Sequence, residues 1–402
     1  MSVNKKIMMV IPVLKGGGAE RVSSVLLNSF KNKGFETEYL LTNSDEDEII
    51  NRDLDNDIPV TVLRKSFVTE SVFVRIFYKL LRFFSSLICK VFESLKISVP
   101  VCFSYLSFIS EYRKEIKAFR NKLKTEPDTT VIAFLQPAIP IVLLAACGLP
   151  NRVIISERGD PKRLVKSRYG YKFIEKYYMR ADSAVFQTED AKYTYPPNIA
   201  KKGYVIFNPI NENLPKAYFG ERNKNITTFC RISKQKNLPM LIEAFNEVHK
   251  AFPDYKLRII GKPNNDDDMI ALNDTNVLID KYHLNDFVEF LPFSTSVHED
   301  IIKDAMYVNS SDYEGMSNAM LEAMAIGMPV VCTDCPIGGA RAVINHGVNG
   351  MLTKVGDCQD FAEKIISVLN DKELSRMLSA NAVEIKTQLS ISNITIQWEA
   401  LL

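Results

Sequence analysis

Two doubly wound parallel α/β sheets are predicted for this chain, each offering ligand contacts at the carboxyl ends of its strands. Three observations predict them. Short apolar runs with the length of buried strands alternate with helical stretches of apolar periodicity. Several of these runs end in glycine-rich or charged loops that lead straight into a helix, as ligand-binding loops of such sheets do. The length, 402 residues, exceeds one ordinary core, and a polar stretch rich in Asn, Pro, Glu and Lys breaks the pattern near the middle. The predicted organisation is a first domain over residues 1–207, a linker over 208–224, a second domain over 225–388 and a terminal helix over 389–402.

Composition narrows the function classes. Fifty Lys and Arg oppose 48 Asp and Glu, so the overall charge calls for no nucleic acid partner. Seven scattered cysteines fit a reducing compartment better than a disulfide framework. Cys332 and Cys335 form a CxxC, but neither a thioredoxin-like context nor a second ligand pair accompanies it. The four histidines, His249, His283, His298 and His346, all lie in the second half, which argues against a His-centred metal site.

A first strand within the apolar run Ile7–Leu14 feeds the loop Lys15-Gly16-Gly17-Gly18-Ala19-Glu20-Arg21 and then a helix with Val22, Val25, Leu26, Leu27 and Phe30 on one face. No small-x-small site follows, and Pro12 interrupts the apolar run, so a strand is the better reading than a signal peptide. Glycines at 17 and 18 let backbone approach a ligand without an intervening Cβ. The loop is neither GxGxxG nor a Walker P-loop. Strands are expected at Glu36–Thr42 and Val60–Leu63, separated by an acidic loop over residues 45–57.

Residues 64–124 differ from the rest. Phe67, Phe73, Ile76, Phe77, Leu80, Phe83, Phe84 and Leu87 interleave with Arg75, Lys79, Arg82 and Lys90. Basic residues at helical spacing beside a broad apolar surface suit an interfacial helix on an anionic membrane. Charges interrupt every window long enough to span a bilayer. The same pattern also fits helices that cover the sheet and expose a basic face.

Strands resume at Thr130–Leu135 and Val153–Ser156. The second leads into Glu157 and Arg158, a carboxylate and a cation at the carboxyl end of a strand, where either a ligand contact or a structural ion pair is expected. Strands at Ser183–Phe186 and Tyr204–Phe207 complete the first half. The second opens with Ile226–Phe229, then Cys230-Arg231-Ile232-Ser233-Lys234-Gln235-Lys236, then a helix with Leu238, Leu241, Ile242, Phe245 and Val248 on one face. Arg231 and Lys236 stand where they can meet a diphosphate, the first in bidentate fashion and the second as a point charge. A strand at Leu257–Gly261, an acidic loop at Asp266–Asp268, a helix near Val277–Tyr282 and a strand at Val288–Leu291 follow.

The unit from Ala305 to Gly350 is the most informative. A strand over Ala305–Asn309, a polar loop, a helix over about Ser317–Ile326 and a strand over Met328–Cys332 follow one another, with Gly327 and Pro329 stopping the helix. Glu314 lies in the loop and Glu322 in the helix. Ser317 or Asn318 can cap that helix, leaving N–H donors around Met316, Ser317 and Asn318 for an anion. An anion beside carboxylates that accept from hydroxyls describes a nucleotide sugar. Gly347 and Gly350 precede a short strand, Asp357 caps a helix through Leu369, and the tail from Glu373 is helical.

The string EGMSNAMLEAMAIGMPVV, followed by TD and Gly338-Gly339, resembles the E-x7-E signature of the retaining GT-B glycosyltransferases of family 4. GGGAERV resembles the amino-terminal loop of the same family, which closes over the donor diphosphate and the acceptor. The stretch Arg231 to Lys236 is similar to the family's G-R-x(3–4)-K, with Cys230 in place of the glycine. ISERGDP looks like a motif of polysaccharide-type members. The resemblance implies a GT-B fold, two Rossmann-like domains facing a cleft, with the terminal helix returning to the first domain. It implies that Glu314 contacts the donor sugar and Glu322 the ribose hydroxyls, while Arg231 and Lys236 hold the donor phosphates with no metal or other cofactor. Many relatives carry a histidine in the amino-terminal domain near the donor sugar; this chain has none there, and the resemblance leaves Glu157 or Arg158 as the candidate for that acceptor or donor-sugar contact.

The implied function is retaining transfer of a hexosyl or N-acetylhexosaminyl group from a nucleotide-diphosphate sugar, with UDP favoured over GDP. The acceptor would be a lipid-linked saccharide of surface polysaccharide synthesis, met at the inner face of the plasma membrane through residues 64–124. A sugar-nucleotide epimerase on the same fold should release sugar without an acceptor. A non-catalytic nucleotide-sugar-binding membrane scaffold should bind without turnover.

Overall fold

The computed structural model describes residues 5–43, 49, 53–63, 71–95, 100–159, 175–294 and 296–402. Two compact units emerge, Met1–Pro209 with Ile394–Leu402, and Ile210–Asn393. Phe67, Asp160 and Pro161, along with much of the acidic loop expected over residues 45–57, lie outside the described residues.

The first unit is a seven-stranded parallel sheet of β1 (Lys6–Ile11), β2 (Glu36–Leu41), β3 (Val60–Val62), β4 (Thr130–Phe134), β5 (Val153–Ser156), β6 (Ser183–Phe186) and β7 (Gly203–Val205). Its order is β3-β2-β1-β4-β5-β6-β7. The chain reverses direction across the sheet between β1 and β4, the switch point at which doubly wound sheets open a crevice. Helix α1 (Gly18–Asn32) buries Val22, Leu26, Leu27 and Phe30 against the sheet, as its apolar spacing requires.

The segment after β3 forms α2 (Val72–Ser94) and α3 (Val101–Thr125). Helix α3 lies inward: Phe108 packs with Ile141, Leu144 and Tyr177, and the Arg120 guanidinium donates to the Ala145 and Cys147 carbonyls at 2.7 Å each. Helix α2 rests on α3 through Cys89, Arg113 over the Tyr78 ring at 4.6 Å and Arg82 with Glu111 at 3.5 Å. Helix α4 (Ala138–Ala145) is buried at every residue. With no polar face it carries no amphipathic period, so the sequence pattern gives no sign of it.

The second unit is a six-stranded parallel sheet of β8 (Asn223–Phe229), β9 (Lys256–Ile260), β10 (Val288–Leu291), β11 (Asp304–Asn309), β12 (Val330–Thr333) and β13 (Met351–Thr353), ordered β10-β9-β8-β11-β12-β13. Helices α5 (Leu238–Ala251), α6 (Asp266–Lys281), α7 (Val297–Ile301), α8 (Asn318–Ala325) and α9 (Cys358–Asn370) complete it. The core joins Leu241, Phe245 and Val248 to Ile259, Met306, Val331 and Phe361.

One local expectation is corrected. Asp266–Asp268 is the first turn of α6, not a loop, and the helix begins well before Val277. The Asn265 side chain caps it by accepting from the Asp268 N–H at 2.9 Å, and three carboxylates at the amino end match the positive end of the helix dipole. The short strand expected from Tyr204 begins at Gly203 and ends at Val205.

Arg222 orders the entry to β8. Its guanidinium donates to the carbonyls of Ile302, Asp304, Tyr218 and Gly327 and to Ser379 Oγ. Burial pushes its pKa down to about 10. Beneath it, Asp304 is fully buried and accepts from Thr227, Asn225 and Arg258, the last at 2.7 Å. These contacts tie the start of β11 to β8 where their pairing shifts register between Asp304 and Met306.

Candidate donor site and neighbouring polar networks

The loops after β8 and β11 leave the carboxyl edge of the second sheet side by side, and polar bonds lace them. The Asp312 N–H donates to the Gln235 carbonyl at 2.9 Å, and Gln235 Nε2 donates to the Tyr313 carbonyl at 2.8 Å. Asn237 Nδ2 donates to Asp312 at 2.6 Å, and Ser310 Oγ to the Lys236 carbonyl at 2.7 Å. Asn237 adopts a left-handed conformation (φ 43°), which an asparagine tolerates, and caps α5 from there.

This lacing brings Lys236 to Glu314. The ammonium donates to Glu314 Oε1, which also accepts from Ser311 Oγ at 3.0 Å. Burial draws the Lys236 pKa down, but the adjacent Glu314 charge outweighs it, and the pKa lies above its ordinary value. The ammonium therefore stays charged. Arg231 stands at the start of the same loop with half its side chain exposed (51%), its Nε 3.9 Å from Asp268. A cation so loosely held is available to an anion from solvent.

The second carboxylate is set by helix α8. Ser317 caps the helix, its Oγ accepting from the Met320 N–H, and Met316 and Ser317 are themselves buried. At the other end Gly327 takes φ 78° and the Met328 N–H returns to the Ala323 carbonyl, closing a Schellman turn. Between these caps Glu322 is buried, its Oε2 at 2.8 Å from His298 Nε2. Gly339 packs against the loop before α8 so closely that a Cβ there would sit 1.5 Å from the Gly315 carbonyl oxygen. The Gly338-Gly339 pair thus lets a second backbone support the Glu314 loop.

The other candidates lie in the first unit. Gly17 caps α1, and its N–H donates to Glu20 Oε2 at 2.9 Å; the Lys15 N–H donates to the same oxygen. The glycine loop closes around a carboxylate of its own helix, and a Cβ at Gly17 would press on Glu20 at 3.1 Å. Gly18 begins the helix.

Glu157 and Arg158 follow β5, both buried, and do not pair with each other. Glu157 Oε1 accepts from Tyr178 Oη and from Gln136 Nε2, the latter at 3.3 Å. Burial pushes its pKa up to about 7 despite those donors. Arg158 lies over the Phe134 ring at 4.9 Å and the Trp398 ring at 5.7 Å, and donates to Asn208 Oδ1 at 2.9 Å. Its Nε and Nη2 have no partner among the described residues, and burial draws its pKa down to about 9.

Sequence reasoning groups Arg231, Lys236, Glu314 and Glu322; in the structure Lys236 pairs with Glu314, Arg231 begins the same loop as Lys236, and Glu322 lies on α8 against His298. It missed His298, Ser311 and Asp312, which hold two of the four in place; no local motif marks them. Cys332 and Cys335 are buried, and burial pushes both thiols up, Cys335 to about 12, so the CxxC carries no thiolate at neutral pH.

Two parallel doubly wound units with this edge define a GT-B fold of glycosyltransferase type. Residues 210–384 match the family model described as "Glycosyl transferases group 1", and that region of the chain belongs to this glycosyltransferase family. HepE of Anabaena, solved with UDP, superposes with a TM-score of 0.74 at 18% identity, covering 98% of both chains. An uncharacterised glycosyltransferase of Haemophilus influenzae is 24% identical over 223 residues, 55% of this chain and 61% of that protein. A Campylobacter jejuni N-acetylgalactosaminyltransferase named for a diphospho-undecaprenol-linked saccharide is 24% identical over 261 residues, 62% of this chain and 69% of its own. The chain spans 61%, 28% and 50% of the first three curated relatives it matches, a likeness that carries the family without the substrate.

Proposed function

We propose that the chain is a retaining glycosyltransferase that moves a hexosyl or N-acetylhexosaminyl group from a UDP-sugar to a lipid-linked glycan acceptor in surface polysaccharide synthesis. The observation that carries this reading is the convergence of Arg231, the Lys236–Glu314 pair and buried Glu322 on one edge of the second sheet. Glu322 would accept from the ribose hydroxyls, and Arg231 and Lys236 would bind the diphosphate. Glu314, anchored by Ser311 and Lys236, would orient the sugar.

The costly event in the transfer is charge separation. As the bond from C1 to the diphosphate oxygen breaks, negative charge grows on the leaving group and positive charge on the sugar. Lys236, already held and charged, and Arg231 from the start of the same loop stabilise the leaving group. A bond from C1 to the acceptor oxygen forms on the same face. The acceptor proton passes to the leaving phosphate oxygen, as the family resemblance implies, so no separate base is needed.

Helix α2 supports the lipid-linked acceptor and a peripheral place on the inner face of the plasma membrane. Phe73, Ile76, Phe77, Leu80, Phe83, Phe84 and Leu87 recur at helical spacing on its exposed side, Phe73 at 85% exposure. Arg75, Lys79, Arg82 and Lys90 are also exposed, while Cys89 and Ser85 face inward. An aromatic stripe exposed among the described residues, with cations along the same helix, suits an anionic lipid surface. No described helix is long and apolar enough to cross a membrane. The Campylobacter relative's named acceptor points the same way.

The test is nucleotide release from UDP- and GDP-sugars by the purified protein, with and without a membrane lipid extract, with Glu314→Gln beside it. Lipid-dependent UDP release, lost in the variant, is expected. Release that needs no acceptor would favour an epimerase. Nucleotide binding without release from any donor would leave a binding protein on the same fold.

A further inference from the structure

We infer that His298 is a positioning residue that locks the Glu322 carboxylate for the ribose, giving the site its preference for ribonucleotides over 2′-deoxyribonucleotides. The inference rests on the donor site proposed above. Glu322 reaches the edge from α8 through a flexible side chain whose carboxylate, left alone, would sample several rotamers. His298 comes from a different element, α7, and places its Nε2 2.8 Å from Glu322 Oε2. Both side chains are nearly enclosed, at 12% and 7% exposure, so the bond lies where water competes weakly.

The imidazole is itself held. Phe229, at the end of β8, meets its ring edge-on, with centroids 5.6 Å apart and planes at 85°. Phe229 in turn packs on Tyr307 of β11 at 5.1 Å. A stack anchored on two central strands therefore orients the histidine, and the histidine orients the carboxylate. For Oε2 to accept, Nε2 must carry the hydrogen, which fixes the tautomer. A carboxylate has about four acceptor sites, and the imidazole engages one of them. The ribose hydroxyls of the proposed donor would donate to the same carboxylate. A lysine in place of the histidine would supply three donors and compete with those hydroxyls.

Hydroxyl selection follows from this arrangement. A site built to hydrogen-bond a substrate hydroxyl rejects the analogue lacking it, because a buried acceptor is left unpaired. A carboxylate free to turn away would relieve that penalty and lose the discrimination.

The experiment measures binding of UDP and 2′-deoxy-UDP to wild type, His298→Leu and His298→Gln by calorimetry, with thermal melts to confirm folding. Donor KM and kcat are read on the same proteins. Wild type should prefer UDP, and His298→Leu should reduce that preference by tenfold or more, chiefly by weakening UDP. Donor KM should rise with little change in kcat, and His298→Gln, which keeps a donor, should recover part of the preference. Equal weakening of both nucleotides, or an unchanged preference, would overturn the positioning role while leaving the donor site standing. Failure of wild type to bind either nucleotide would overturn the donor site and this inference together.

Discussion

The indole of Trp398 stacks on Phe134, with ring centroids 5.9 Å apart and planes 19° apart. The carboxyl-terminal helix Ile391–Glu399 is thereby fastened to the end of β4, with Arg158 lying over both rings. Lys33 to Glu399 at 2.8 Å and Thr395 to Ser29 at 2.9 Å add polar contacts with α1. The last stretch of sequence is thus part of the first unit's core.

Trp398→Ala should therefore destabilise the first unit by about 3–5 kcal/mol, the usual cost of emptying a large aromatic site. Denaturant unfolding followed by tyrosine fluorescence and circular dichroism checks it. A loss below about 1 kcal/mol would mean that the stack contributes little.

Glu157 makes stability depend on pH. Its folded pKa of about 7 lies above the unfolded carboxylate value, so the folded state holds the proton more tightly. Its contribution is full below about pH 4.5 and is lost as pH rises toward 7, roughly 3 kcal/mol at most. Glu157→Gln removes the group that titrates. The variant's melting temperature should fall less than that of wild type between pH 5 and 7.5. Parallel curves would show that Glu157 does not titrate in this range.

Gly339→Ala places a Cβ against the Gly315 carbonyl. The loop bearing Glu314 must move, and backbone cannot swing aside as a long side chain can. UDP-sugar turnover should drop by at least tenfold while far-UV circular dichroism remains that of wild type. Unaltered turnover would mean that the Glu314 loop tolerates the shift.

Reversing Arg75, Lys79, Arg82 and Lys90 to glutamate should release the protein from anionic vesicles. Each cation near such a surface contributes about 1 kcal/mol, screened by salt. Vesicle co-sedimentation at low and high ionic strength reads this out. Vesicle binding that ignores both salt and the charge reversal would mean that the aromatic stripe of α2, and not its cations, carries the attachment.

Most of the parallel strands were legible because buried strands read as short apolar runs between turn residues. Ile7–Ile11, Val153–Ser156 and Val288–Leu291 are examples. Helix α4 was not, since it is apolar all round, and the start of α6 was misread because three aspartates resemble a loop until Asn265 is seen to cap them. At the candidate site Glu314, Glu322, Arg231 and Lys236 stand out through their resemblance to the family's motifs, not through spacing alone. His298 was invisible, because its meeting with Glu322 is set by how α7 and α8 pack on the sheet. The interior placement of Glu157 and Arg158 likewise depends on Tyr178, Asn208 and Trp398, each distant in sequence.

The most direct measurement is UDP-sugar affinity of Arg231→Ala against wild type by calorimetry. Arg231 is half exposed and loosely paired, so its removal should leave stability nearly unchanged. If it grips the donor diphosphate, the lost charge-assisted bonds should weaken affinity about 10- to 100-fold. Equal affinity in a folded variant would contradict a phosphate role for Arg231 and, with it, the donor site assigned to this edge of the sheet.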